Sequence, residues 1–169
     1  CIMLAPSEKS SGLEYFSKNT KCCTYFPEIP NYLIGKLLSN KTQETYTGKI
    51  KIRQLIDNKH GISPAGILPG KKYNLLYKQS RENTFGKAEQ LKCPFYDNKL
   101  NGCAIWMGRT AICSTYFCRY NHGKDGENFW YAVQDYMKKA ENILSDYVLY
   151  KLNMVEYSDV SYNKDELFA

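Results

Sequence analysis

Lys92-Cys93-Pro94-Phe95-Tyr96-Asp97-Asn98-Lys99-Leu100-Asn101-Gly102-Cys103-Ala104-Ile105-Trp106, followed by Cys113-Ser114-Thr115-Tyr116-Phe117-Cys118, holds four of the seven cysteines in the chain. A structural cysteine is a small hydrophobe that needs no partner. Four gathered in turn-rich sequence do not read as core positions. Asp97 to Gly102 is a polar turn that sets Cys93 and Cys103 side by side. The remaining cysteines are Cys1 and the neighbouring pair Cys22-Cys23. Seven cannot all pair within one chain, and vicinal cysteines make a strained disulfide. Three uses remain open: zinc held by sulfur and nitrogen ligands, an iron–sulfur cluster held by thiolates, or disulfides in an oxidising compartment. The spacings are not the paired CxxC of a zinc ribbon, and metal binding is the preferred reading over disulfides.

Around the cysteines the chain reads as a mainly α, irregular helical single domain, its long loops organised by a cysteine-bound metal site. Its 169 residues suffice for one core, with 43% hydrophobic and 24% charged residues. Residues 1–155 form the expected domain. Cys1 to Pro30 is an irregular arm, expected to be held to the body chiefly through the cysteine site. A short helix follows at Tyr32 to Leu38 and a longer one at Thr42 to Asn58, with Ile50, Leu55 and Ile56 toward the core. His60 to Gly70, rich in glycine and proline, is a loop, and Lys71 to Ser80 is too mixed to assign. Apolar residues from Phe129 to Leu152 recur at intervals of three and four, predicting a core-facing helix over Gly126 to Leu152 with Asp125 as its N-cap. Residues 156–169 form a polar tail.

The order Cys-Cys, then Cys-Pro-Phe-aromatic, then Gly-Cys-x-Ile-aromatic, then Arg-x-x-x-Cys resembles the zinc- or iron-chelating cysteine-cluster domains of bacteria. Here it reads Cys22-Cys23, Cys93-Pro94-Phe95-Tyr96, Gly102-Cys103-Ala104-Ile105-Trp106 and Arg109 to Cys113. Flagellin lysine methylases carry a similar arrangement, associated with an iron–sulfur cluster. The resemblance is close over Lys21 to Cys23 and Cys93 to Cys118 and leaves about half the chain unassigned. It implies a cluster, [4Fe–4S] first and zinc second, held by Cys23, Cys93, Cys103 and Cys113. Cys22, Cys118 and Cys1 are further candidates. Arg109 is expected beside the bound group, donating hydrogen bonds. The sequence departs from the family in placing Cys1 far upstream of the pair, in Arg109-Thr110 where the family has Arg-Pro, and in the additional Cys118.

Several functions are set aside. No apolar run approaches the roughly 20 residues of a membrane span. The net charge of +6 is scattered rather than blocked, so nucleic acid is not an expected partner. Metal ions are the expected ligands, with a protein partner as an option. No phosphate loop, nucleophile elbow or paired metal-protease histidines occur. His122 is a reserve ligand and His60 a weaker one. The leading function is a cytoplasmic iron–sulfur protein of redox, structural or accessory duty. Its alternatives are a structural zinc domain mediating protein contacts, a metal-dependent enzyme, and a secreted or lipid-anchored disulfide protein. Cys1 leaves a lipoprotein or a truncated chain open, and no reaction follows from the residues.

Overall fold

A computed structural model describes residues 16–80, 84–116 and 123–156. The fold is mainly helical. In chain order it runs β1 (Ile29–Pro30), α1 (Asn31–Ser39), α2 (Tyr46–Asp57), β2 (Ile62–Ser63), β3 (Gly66–Ile67), α3 (Lys71–Gln79), β4 (Tyr96–Asp97), β5 (Gly102–Cys103), α4 (Ala111–Thr115) and α5 (Gly123–Lys151). Short 3-10 turns lie at Gln43–Thr45, Glu89–Leu91 and Trp106–Gly108.

The strands are two-residue bridges that fix loops. Expected as a plain loop, His60 to Gly70 folds into the β2–β3 hairpin, and β1 adds antiparallel to β3 with Ile29 opposite Ile67. Both isoleucines are buried. The polar turn expected at Asp97 to Gly102 connects β4 to β5, with Tyr96 opposite Cys103. The Asp97 carboxylate accepts from the amides of Lys99 at 2.7 Å and Leu100 at 3.0 Å, so the side chain itself shapes the turn.

α1 and α2 form where the periodicity places them. α1 buries Leu33 and Leu37, one turn apart, against Phe26, Ile29, Ile52, Ile67, Phe95 and Ile105. On α2 the inward face is Gly48 and Ile52 rather than the expected Ile50 and Ile56, which are exposed; Leu55 is half-buried against the core. Gly48 is required there. A methyl on it would land on the Ala104 carbonyl oxygen, just past Cys103, so α2 lies directly on the backbone after β5. Lys51 anchors the same contact, donating to the carbonyls of Pro94 at 2.8 Å and Tyr96 at 3.0 Å.

The arm departs from expectation. For residues 16–30, backbone and core contacts hold it, not the cysteines alone. The Gly86 amide donates to Thr24 Oγ1 at 2.6 Å, and Thr20 Oγ1 donates to the Gly86 carbonyl at 2.6 Å. Gly86 has φ +75°, and a side chain there would run into the Phe16 ring. The Tyr73 hydroxyl receives the Phe26 amide at 2.7 Å, and Phe26 lies in the core. The sequence reading missed these ties because they come from residues with no apolar period.

α5 is the second correction. It begins at Gly123 and lies against α4, α1 and β1, but its inward residues are polar. Gln134 Nε2 donates to Thr115 Oγ1 at 2.9 Å, Glu141 accepts the Ala111 amide at 2.7 Å, and Ser145 Oγ donates to the Ala65 carbonyl at 3.3 Å. The apolar stripe expected in the core faces outward over much of its length: Phe129 is 60% exposed and Tyr147 53%. Periodicity shows that a helix has an apolar face, not what that face meets. Here the body presents the Ala111 amide, the Thr115 hydroxyl and the Ala65 carbonyl, each able to take a further hydrogen bond, and these select polar partners. α5 closes on a left-handed residue, Asn153, whose amide bonds to the Tyr150 carbonyl while the Met154 amide bonds to Leu149. Among the described residues no helix is long and apolar enough to cross a membrane.

Candidate functional site

Four separate pieces of chain bring five cysteines to one cavity of about 530 Å³. Cys22 and Cys23 come from the tight loop after Thr20, where Lys21 takes a left-handed φ of 51° and the Cys23 amide bonds to the Thr20 carbonyl at 2.9 Å. Cys93 follows the 3-10 turn Glu89–Leu91, and its amide donates to the Cys23 carbonyl at 2.8 Å. Cys103 is the second residue of β5. Cys113 sits in α4, whose first amide is the one capped by Glu141.

All five thiols are unpaired. The expected ligands Cys23, Cys93, Cys103 and Cys113 thus share a wall with the further candidate Cys22. Cys1, Cys118 and the reserve ligand His122 lie outside the described residues. His60 does not line the cavity; its ring lies beside Gly70. Among the described lining residues there is no Asp, Glu or His, so sulfur is the strong donor they offer. Among the described residues no three Cys, His, Asp or Glu side chains stand close enough to hold one metal ion in common.

Electrostatics divide the thiols. Burial pushes the Cys93 thiol up to about 12 and Cys113 to about 11, and raises Cys103. Cys22 runs the other way, lowered by a hydrogen bond with the Cys23 thiol and by the charges of Arg109 and Lys21. The same hydrogen bond and burial raise Cys23. Neutral thiols are the resting form of most of the wall, and a cation is what would draw the thiolates out.

Arg109 lies among them. Its guanidinium stacks 3.4 Å from the Trp106 ring centroid and Nη1 donates to the Cys113 carbonyl at 3.4 Å. Its Nε is buried with no hydrogen-bond acceptor in the described structure. Lys21 also lines the cavity, whereas Lys92, equally close to a cysteine in sequence, pairs with Glu89 at 2.7 Å. The aromatic side of the cavity includes Tyr25, Tyr77, Phe85 and Tyr116. Tyr77 comes from α3, the segment the sequence left unassigned; its apolar signal was too short to read. The geometry defines a mainly helical protein with a sulfur-lined, cationic pocket. No family model, curated protein or solved structure matches the chain.

Proposed function

We propose that the pocket holds an iron–sulfur cluster, [4Fe–4S] by preference, on thiolates of Cys23, Cys93, Cys103 and Cys113, with Cys22 adjoining. One observation carries this reading: five cysteines from four chain segments line one cavity to which the described residues bring no carboxylate or imidazole. An all-thiolate donor set is the usual holder of such clusters. Arg109 supports it in a second way. A buried N–H with no acceptor is costly, and a cluster sulfide or ligating thiolate supplies the acceptor. Arg109 and Lys21 also offset the negative charge that several thiolates bring to a buried site. A single zinc ion fits less well. It needs sulfurs about 2.3 Å from one point, and no three described ligands meet that way. A cluster spreads its ligands over its own width.

When bound, the cluster supplies one-electron transfer or a structural clamp. The chain's own residues bind it, orient it through Arg109 and cover it with the aromatic wall.

The test is iron, zinc and acid-labile sulfide analysis of anaerobically purified protein, with its visible spectrum. Iron and sulfide together, with absorption that bleaches under dithionite, are expected. Zinc without colour would replace the cluster by a structural ion. Metal-free protein with few titratable thiols would replace metal binding by disulfides.

A further inference from the structure

The long helix α5 turns its polar side to the body and its apolar side outward. From Phe129 the apolar residues Val133, Tyr136, Ala140, Ile143 and Tyr147 follow at alternating intervals of four and three, and Tyr150 continues them. That is a heptad repeat, with Val133, Ala140 and Tyr147 at a and Tyr136, Ile143 and Tyr150 at d. The residues that grip the body, Gln134, Glu141 and Ser145, occupy b and f, the positions opposite such a seam. Tyr136 is 72% exposed at the seam's centre. A 29-residue helix spans about 43 Å, enough for a stable pair of helices.

We infer that α5 is a self-association helix: two copies of the chain pair antiparallel through the seam formed by Val133, Tyr136, Ala140, Ile143, Tyr147 and Tyr150. Size and charge both choose the second copy in this orientation. An antiparallel pair places each a residue beside a d residue of its partner. Val133 then meets the partner's Tyr150, and Ala140 meets the partner's Ile143, larger beside smaller in both layers. Tyr136 meets the partner's Tyr147 as an aromatic layer. A parallel pair would stack Ala140 on itself and each tyrosine on itself, leaving a seam of uneven width. In the antiparallel pair the g positions face one another, so Lys139 lies beside the partner's Asp146, twice by symmetry. In a parallel pair Lys139 would face the apolar Leu144.

Sedimentation equilibrium of the full chain tests this across micromolar concentrations, with circular dichroism to verify helix content. A dimer is expected for the parent protein, and a monomer with unchanged helix for Tyr136→Glu. Lys139→Asp alone sets aspartate against aspartate at two sites and should weaken dimerisation about tenfold. Adding Asp146→Lys to it should restore the parent affinity. A monomeric parent at the highest concentration, meaning that the seam is covered otherwise, overturns the proposal, as does a dimer that survives Tyr136→Glu. Lys139→Asp without effect, or without rescue by Asp146→Lys, overturns the antiparallel register.

Discussion

The amide of Cys93 donates to the carbonyl of Cys23 at 2.8 Å, tying two cysteine-bearing segments through their backbones rather than through their sulfurs. The wall of the pocket is therefore assembled by peptide hydrogen bonds, with Thr24 and Gly86 on one side and β4–β5 on the other. The backbone thus brings the cysteines to one cavity without help from any sulfur bond.

The loop around Cys23 is expected to stay folded without metal. In chelated, reduced protein, hydrogen exchange should leave the amides of Cys93, Gly86 and Asn31 protected, since each donates to a fixed acceptor. Rapid exchange at all three on chelation would show that the metal holds the loop.

Thr24→Val keeps the shape of the side chain but deprives the buried Gly86 amide of its acceptor. A loss of about 1–3 kcal/mol is expected, read as a lower urea midpoint with an unchanged slope. Thr42→Val, at an exposed position, is the control.

Gly48→Ala is expected to destabilise although alanine is the better helix former. The gain from propensity is about 1 kcal/mol, and forcing a methyl against the Ala104 carbonyl costs about 1–3 kcal/mol. Because Ala104 follows Cys103, retention of the proposed cluster should fall together with the melting temperature. A more stable Gly48→Ala protein would show that α2 can lift away freely.

Lys59 ends α2 in a left-handed conformation, φ 51°, with its amide bonded to Ile56 and the His60 amide to Leu55. This is the position a glycine takes at no steric cost. Lys59→Gly should add about 1 kcal/mol of stability by denaturant titration.

Metal-free protein should lose stability in alkali. An unfolded thiol ionises near pH 8.5. In the fold, Cys93 and Cys113 resist ionisation to about 12 and 11 because they are buried. Raised values favour the folded state fully below pH 8.5, and that contribution drains away as pH climbs toward 11 and 12. Urea midpoints from pH 7 to 10 should fall, and Cys93→Ala should flatten the slope.

Much of this was legible in the chain. The turn at Asp97 to Gly102, which sets Cys93 beside Cys103, and both early helices followed from local signals, whereas the joining of Cys22, Cys23 and Cys113 to them was implied by the family resemblance. The direction of α5 was not. Its stripe marks a face, but Gln134, Glu141 and Ser145 were claimed by groups on α4 and the β2–β3 turn, and no period within α5 encodes those. Nor was the hold on residues 16–30, which rests on Thr20, Thr24 and Tyr73 meeting partners far along the chain.

The two threonine hydroxyls that grip Gly86 set a schedule for synthesis. Thr20 lies 66 residues before its acceptor. At about 5–20 residues per second, roughly 3–13 s separate the emergence of the two partners. Throughout that interval Cys22 and Cys23 have left the ribosome without their closing contacts, and Cys93, Cys103 and Cys113 are still to come. A nascent chain therefore exposes adjacent thiols before any pocket exists, and the order of emergence leaves the pocket incomplete until Cys113 has been made.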